Sequence, residues 1–269
     1  MSATDVLHQH RTPIEKAARA GYVARGAVYL IIGYFAAKAA YSTAQPMGSK
    51  DAVEQVFGSV GGIALLVVLV AALGAFAIWR LMQATFDFDR HGTGAKGIVV
   101  RIGLFASGLS YGALAVFAGL LAAGARSGGG GVVSDAISAA YDAGYGVAAT
   151  YIIAALLVGV GAAHVVKGVQ AGFEKYMTLP PEASWLRPVC RFGLIARGFT
   201  FILLGFLVFT GAASYDGGET PGLETALRAM AGWTFGWVYL AVTGLGLVSF
   251  GVYALAQARY RRIHLRPAT

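Results

Sequence analysis

Long apolar stretches without charged residues dominate the pattern of this sequence. Five of them contain no Asp, Glu, Lys or Arg over 18 or more residues, and a sixth is interrupted only by Arg25 and Lys38. The six stretches are 22–40, 55–79, 102–125, 143–166, 198–215 and 229–258. Each is close to or longer than the length of about 20 residues with which an α-helix crosses a bilayer. Because none alternates apolar and polar residues as membrane β-barrel strands do, we expect an all-α integral membrane protein with six transmembrane helices.

Composition agrees with this class. Charged residues make up 13% of the chain and hydrophobic residues 57%, whereas soluble domains carry about 25% charged residues. Cys190 is the single cysteine, which excludes an internal disulfide. No cleavable signal peptide is expected, because polar and charged residues precede the first apolar stretch and no small-residue cleavage site follows a short apolar core.

The basic residues are distributed unequally between the two predicted faces of the membrane. Seventeen of the 21 fall in the N-terminal arm through Arg25, in 80–101, in 167–197 and in the tail from Arg259. The positive-inside rule therefore places both termini in the cytoplasm, as expected for a multi-pass protein of the bacterial cytoplasmic (inner) membrane. The net charge of +8 follows from this topology, so no nucleic-acid partner is expected.

Three similar segments begin the odd-numbered helices. They read RAGYVARGAVY at 19–29, RIGLFASGLSY at 101–111 and RFGLIARGFTF at 191–201. A second landmark lies in the even-numbered helices, where Gln83, Gln170 and Gln257 are 87 residues apart. Together they predict three parallel two-helix repeats around a pseudo-three-fold axis. The predicted units are a cytoplasmic arm at 1–16, repeats at 17–90, 91–177 and 178–260, and a basic cytoplasmic tail at 261–269.

A short helix is predicted between the two spans of each repeat. Helix-start signals occur at Asp51 to Glu54, at Ser134 and Asp135, and at Thr220 and Pro221. We expect these helices to lie along the outer membrane surface.

The three-fold hairpin and the R-x-G-x-x-A-R-G-x-x-Y segment resemble a bacterial membrane family catalogued as domain of unknown function 1206, whose members carry tandem two-helix repeats. The resemblance runs from about Ala17 to Tyr260. It implies a topology and no activity. The second repeat departs from the family pattern, because Ser107 stands where the other two repeats have Arg25 and Arg197.

Arg25 and Arg197 are the first candidate site residues. Each follows the opening arginine of its segment by six residues, which places it about 9 Å farther along the helix and turned by about 240°. One interpretation is that both guanidinium groups reach back to lipid phosphates. The other is a basic vestibule inside the bundle, with Ser107 as its neutral third wall and an aromatic ring of Tyr29, Tyr111 and Phe201 one helical turn on.

Glycines at helix contacts are the second group of candidates. Gly26, Gly108, Gly112 and Gly198 remove side chains where helices in lipid must approach closely. We interpret them as packing residues.

Metal and catalytic patterns are weak. His164 is the single histidine within a predicted span, so we interpret it as a helix-contact residue rather than a haem or metal ligand. The spacing of FDFDRH at 86–91 could hold a cation, although a solvated loop is the simpler interpretation. Nothing matches a nucleophile elbow, a zinc motif or a paired-carboxylate site, so we expect no enzyme, cofactor or metal.

Two functions remain open on the sequence alone. The first, slightly favoured, is a small transporter or channel-like protein whose basic cytoplasmic vestibule attracts an anionic solute or a lipid headgroup. The alternative is a structural or interaction protein that packs against another membrane component. The sequence identifies the lipid bilayer as its surroundings and leaves any protein partner unknown.

Overall fold

The chain folds into helices throughout the described residues. The computed structural model describes residues 11–42, 46, 49–57, 62–124, 140–211 and 223–263. Within them the α-helices are α1 Arg11–Ala39, α2 Ser49–Phe57, α3 Gly62–Phe86, α4 Ala95–Ala122, α5 Gly146–Val169, α6 Leu186–Gly211, α7 Leu223–Ala231 and α8 Gly236–Tyr260. Two short 3-10 helices, Gly172–Tyr176 and Pro181–Ala183, connect α5 to α6.

Six of these helices are long and apolar enough to cross a membrane. They are α1, α3, α4, α5, α6 and α8. The predicted all-α class and the six predicted spans are therefore confirmed. Each span includes most of one apolar stretch because, without water, a helix is the structure that pairs every backbone N–H and C=O group within one segment.

Helices α1 and α8 form the centre of the bundle. They pack against each other, α1 also contacts α3, and α8 also contacts α6. Helix α4 packs on α3 and α5 packs on α6, so these two lie at the periphery. In the most apolar part of each span, 56% of α1 and of α8 is buried, compared with 28% of α4 and 22% of α5.

The packing order bears on the predicted pseudo-three-fold axis. The closest helix pairs join the second span of one repeat to the first span of another, in the pairs α3–α4, α5–α6 and α8–α1. Spans of the same repeat also pack in α1–α3 and α6–α8, whereas α4 and α5 are not a closely packed pair. These contacts do not show a three-fold axis, because the two helices of the second repeat have their main contacts with different neighbours.

Glycines lie at each of the three closest pairs. A Cβ atom on Gly198 would lie 2.6 Å from the carbonyl oxygen of Gly161, and one on Gly26 or Gly108 would lie 2.9 Å from a leucine Cδ2. Gly112 differs, because a Cβ atom there would make an ordinary 3.7 Å contact with Ala77. Among these four glycines, the neighbouring backbone is closest at Gly198.

Two of the three predicted surface helices correspond to short helices in the structure. Helix α2 contains the predicted start at Asp51, buries Ala52 and Val53, and exposes Glu54. Helix α7 buries Leu227 and packs against α6 and α8. The signals at 134–135 and at 220–221 lie outside the described residues.

Candidate functional site

Arg25 and Arg197 lie inside the bundle. Their exposed fractions are 4% and 9%, although both belong to helices that also face outward. Each follows the opening arginine of its segment by six residues, and this spacing directs the two arginines of one helix to different sides. Both guanidinium groups are therefore directed into the bundle rather than along its outer surface.

Aromatic rings surround the two guanidinium groups. The Cζ atom of Arg197 lies 4.5 Å from the ring centroid of Tyr29, 4.5 Å from that of Phe201 and 4.4 Å from that of Phe250. The Cζ atom of Arg25 lies 4.5 Å from the centroid of the same Phe250 ring. Because both contact one ring, the two Cζ atoms are separated by no more than the sum of 4.5 and 4.4 Å.

Phe250 and Phe76, whose ring centroid lies 5.6 Å from the Cζ atom of Arg25, both face glycines of the repeated segments. Phe76 packs on Gly21 and Phe250 packs on Gly193, and a Cβ atom on either glycine would collide with the phenylalanine. Both rings are fully buried. In the first and third repeats, the second position after the opening arginine therefore needs glycine so that the neighbouring span, which carries the phenylalanine, can approach closely; Gly103 of the second repeat has no such neighbour.

Several donors of this site have no partner among the described residues. They are Nε of Arg25, Nε and Nη1 of Arg197, Nε of Arg80, and the hydroxyl of Tyr111. Arginine has five N–H donors and no acceptor, so these atoms can only be satisfied by electron-rich groups. The arrangement is chemically suited to an oxyanion.

Arg80 is a further cation near the site, half-buried with a buried Nε, and it lies just after the predicted span 55–79. It lies within α3, with its Cζ atom 4.8 Å from the centroid of Phe76. The Phe76 ring is in edge contact with Tyr111, 4.9 Å away, while Ser107 is half-buried. Arg80, from the first repeat, thus brings a guanidinium group to the ring beside Tyr111. Tyr111 belongs to the second repeat, in which Ser107 takes the place of an arginine.

A polar network connects Arg80 to the end of the bundle where α1 begins and α8 ends, which we call the basic end. Arg80 Nη1 donates to Gln83 Oε1 over 3.1 Å, and Gln83 Nε2 donates to Asp89 Oδ2 over 2.7 Å. Arg261 Nη2 donates to Asp89 Oδ1 and Oδ2 over 2.9 and 2.8 Å. The periodicity of α3 could have indicated this network, because Arg80 and Gln83 are three residues apart on one helix face.

The loop that carries Asp89 includes the predicted cation motif at 86–91. Its other carboxylate, Asp87, accepts hydrogen bonds from the backbone N–H groups of His91 and Gly92 over 2.8 and 2.7 Å. Asp87 thus closes the turn and Asp89 pairs with Arg261. Within the described residues no group of three or more His, Cys, Asp or Glu side chains could hold a metal.

Charge effects at the basic end favour ionised Arg261. Burial opposes its charged form, but Tyr22 and the carboxylate of Asp89 favour that form more strongly, and the pKa of Arg261 lies above its ordinary value. Burial also lowers the pKa of His91, although Asp89 and Asp87 act in the opposite direction. The imidazole of His91 is therefore neutral at pH 7, and Arg261 remains the cation to which Asp89 is bound.

The opening arginines of the three segments have a different role from Arg25 and Arg197. Each donates to the last carbonyl groups of the span that packs beside it: Arg19 to Ala258 and Arg259, Arg101 to Ala84 and Thr85, and Arg191 to Gly168 and Val169. Such contacts satisfy carbonyls that have no intrahelical partner and place positive charge at the negative end of the helix dipole. These arginines fix helix ends.

These contacts correct the predicted correspondence between repeats. The residues that precede the bonded carbonyls are Gln83, Lys167 and Gln257. Lys167, rather than Gln170, therefore corresponds to the two glutamines, and Gln170 is exposed beyond the end of α5. The equal spacing of 87 residues was misleading, because the first and second repeats differ in length at this point.

His164 contacts its own helix and the aromatic wall of the site. Its Nδ1 lies 2.8 Å from the carbonyl oxygen of Val160, which can only accept, so Nδ1 carries a proton. The imidazole centroid lies 6.0 Å from that of Phe201 and 6.3 Å from that of Phe250. These contacts fit the interpretation of a helix-contact residue.

Comparison with known proteins assigns this architecture to a family. The family described as Domain of Unknown Function (DUF1206) matches residues 20–87 and 192–261, which make up just over half of the chain. The chain belongs to this family. The resemblance noted from the sequence is confirmed, and the double match confirms an internal repeat in this DUF1206 protein.

The matched regions contain most of the site. Arg25, Tyr29, Phe76, Arg80 and Gln83 lie in the first region; Arg197, Phe250 and Arg261 lie in the second; and Ser107 and Tyr111 lie in neither. The DUF1206 protein is also 27% identical over 258 residues to the uncharacterized protein YxxB of Bacillus subtilis (strain 168), over 93% of this chain and 92% of that relative. No solved structure matches it.

Proposed function

We propose that this DUF1206 protein binds an anion inside its helical bundle and acts as a small transporter or channel-like protein. The observation that carries the proposal is Arg197, a buried guanidinium group whose Nε and Nη1 have no partner among the described residues. Arg25 shares its aromatic wall and also has a buried, unpaired Nε. The proposal involves binding and movement of a solute, not catalysis.

Energetic terms favour a ligand over a purely structural role for these arginines. Removing one such ion from water costs several kcal/mol, and two guanidinium groups at this separation repel by about 2 kcal/mol or more at an effective dielectric constant of about 20. Each ring contact returns about 0.5–2 kcal/mol. A bound anion would reverse the repulsion and supply acceptors for the unpaired donors.

The ligand class follows from the shape of the donors. Aromatic rings lie over the guanidinium groups, so recognition would use their N–H edges, and these edges match the oxygen pairs of carboxylate, phosphate and sulfate. Tyr29 would contribute its ring and Tyr111 its hydroxyl, while Ser107 would leave the third side neutral. A free oxyanion and the phosphate of a lipid headgroup present the same chemistry.

The orientation that we propose follows the charge asymmetry. Seventeen of 21 basic residues lie at the basic end of the bundle or in its neighbouring segments, so this end would face the cytoplasm and the protein would reside in the bacterial inner membrane. The arginines would then sit on the route from the cytoplasm into the bundle.

The double variant Arg25→Gln and Arg197→Gln tests the proposal. Sulfate uptake into liposomes that contain the purified protein should fall by more than about tenfold, because loss of a buried charged partner typically costs at least 2 kcal/mol. The matched control, Arg90→Gln with Arg187→Gln, removes the same charge from two exposed residues and should leave uptake unchanged.

Thermal unfolding in detergent distinguishes the two sources of the anion. Stabilisation of the wild-type protein by sulfate indicates a free solute, and stabilisation by phosphatidylglycerol alone indicates a lipid headgroup. Equal responses of the double variant and the wild-type protein to both would refute the proposed site.

A structural or interaction protein is the second candidate. It is favoured by the exposed apolar faces of α4 and α5, which include Ile102 and Ile152 and have their main contacts with one span each. Such faces are expected to contact lipid or another membrane protein. This candidate gains support if the wild-type protein neither transports nor responds to an anion.

A further inference from the structure

The ion pair at the basic end has an unusual donor geometry. Both oxygens of Asp89 accept from the same nitrogen of Arg261, Nη2, over 2.9 and 2.8 Å. The neighbouring Nε of Arg261 is buried and has no partner among the described residues. Arginine binds an oxyanion most favourably through two nitrogens at once. Nε and Nη2 of Arg261 form such a pair, and Asp89 accepts from Nη2 alone.

The surroundings of Arg261 form a built site. Its side chain is 4% exposed, and that of Asp89 is 11% exposed. The Cζ atom of Arg261 lies 5.2 Å from the ring centroid of Tyr176, and Nζ of Lys167 lies 5.4 Å from the same centroid. Gln83 Nε2 adds a neutral donor, which also points at Asp89. Arg261 and Gln83 thus donate to a single carboxylate, and Lys167 contacts the same aromatic ring as Arg261.

A hydrogen bond and ring contacts connect the residues around Asp89 to the buried Arg25. Gln83 accepts from Arg80, and the Cζ atom of Arg80 lies 4.8 Å from the centroid of Phe76. The Cζ atom of Arg25 lies 5.6 Å from the centroid of the same ring. Donors therefore follow one another from the basic end to the buried arginines.

We propose that Arg261, Gln83 and Lys167 form a second, outer subsite for an oxyanion, and that Asp89 is a tethered carboxylate that competes for it. This inference rests on the proposed anion-binding function. An arriving oxyanion places two oxygens on Nε and Nη2 of Arg261, takes over the N–H of Gln83, and releases Asp89. From there it can pass to Arg80 and on to Arg25.

The turn that carries Asp89 can release it without unfolding. Asp87 holds the turn independently through the N–H groups of His91 and Gly92. Asp89 is joined to the bundle by Arg261 and Gln83, and both of those bonds are the ones that an oxyanion would replace. Displacement therefore exchanges one anion for another at the same donors.

Asp89→Asn is the central test, with sulfate as the probe and the full chain in detergent or liposomes. The half-saturating sulfate concentration should fall about tenfold, because the competing charge is lost. This magnitude follows from the coupling energy of close charge pairs, which is at least about 1.5 kcal/mol. Chloride should gain less, since a spherical ion does not span two nitrogens. Glu182→Gln removes the same charge from an exposed residue of the second 3-10 helix and should leave the sulfate response unchanged.

Further measurements keep the test decisive if Asp89→Asn lowers stability. Its unfolding temperature should rise more steeply with sulfate than that of the wild-type protein. Arg261→Lys keeps the charge but loses the two-nitrogen edge, so it should weaken sulfate binding in the wild-type background and cancel the gain in Asp89→Asn.

The outcomes separate the two proposals. Unchanged or weaker sulfate binding in Asp89→Asn, while Arg25→Gln with Arg197→Gln still abolishes binding, overturns the outer subsite alone. Absence of any sulfate response in the wild-type protein and in Asp89→Asn overturns the proposed function as well.

Discussion

Arg191 and Arg197 belong to the same helix and have different roles. Arg191 is exposed and donates to the end of α5, whereas Arg197 is enclosed by aromatic rings from three spans. Six residues of α-helix separate them by about 240° of rotation, and this rotation alone directs one to a helix end and the other to the interior. The spacing in the sequence therefore predicts that the two side chains point to different sides, and the packing of the helices determines which groups each one contacts.

Glycine at position 198 should be less replaceable than glycine at position 108. An alanine Cβ at 198 would lie 2.6 Å from the backbone oxygen of Gly161, which cannot move independently, whereas at 108 it would meet the movable end of Leu81 at 2.9 Å. We expect Gly198→Ala to lower the free energy of unfolding by about 1–3 kcal/mol and Gly108→Ala to lower it less.

Gly103→Ala serves as the control, because nothing lies within 4 Å of its Cβ position. Alanine is the better helix former, so this variant should be neutral or slightly stabilising. Denaturation in detergent measures all three, and a Gly198→Ala protein as stable as Gly103→Ala would contradict the close approach of α5 and α6.

The site was only partly predictable from the sequence. Arg25, Arg197 and Tyr29 could be singled out because they recur at fixed positions of the repeated segments, and the structure brings them together. Phe250 and Arg80 were not recognised. Both come from the second span of a repeat, where no repeated motif marks them, and their contact with the arginines depends on how separate helices pack.

At the scale of the helices, one arginine contact recurs three times. Arg19, Arg101 and Arg191 each bond the last carbonyl groups of a neighbouring span. The existence of the spans could be predicted from the length of the apolar stretches, because the bilayer thickness sets it. The register between spans could not, since the sequence spacing pointed to Gln170 where the contacts identify Lys167.

Arg191→Gln should destabilise the protein more than Arg187→Gln on the same helix. Arg191 satisfies the carbonyls of Gly168 and Val169, and hydrogen bonds of this charged type contribute about 1.5–3 kcal/mol. Arg187 pairs with Glu174 near the surface, with 60% of its own side chain exposed, and such pairs contribute about 0–1 kcal/mol.

Unfolding in detergent compares the two variants, and Arg191→Lys tests the geometry. Lysine keeps the charge but cannot donate from two fixed nitrogens, so an intermediate loss is expected. Equal stability of Arg191→Gln and Arg187→Gln would mean that the helix-end contact contributes little.

For the whole molecule, the arrangement of spans links the two proposed subsites. Central helices α1 and α8 supply Arg25 and Phe250, and the residues that follow α8 supply Arg261. Peripheral helices α4 and α5 bury the least surface. The repeats predict which spans are alike, but they do not predict this order, because the same kinds of arginine and glycine contact join all three of the closest helix pairs.

Cysteine labelling of intact cells tests the orientation on which the anion route depends. Thr93 and Asp142 are exposed, in the loop after α3 and in the segment before α5. With seventeen of 21 basic residues in segments predicted to share the side of Thr93, the positive-inside rule predicts that Asp142→Cys reacts with a membrane-impermeant maleimide from outside, while Thr93→Cys reacts only after permeabilisation. The wild-type protein is the unlabelled control, since Cys190 is buried. Labelling of Thr93→Cys alone in intact cells would invert the topology and place the outer subsite away from the cytoplasm.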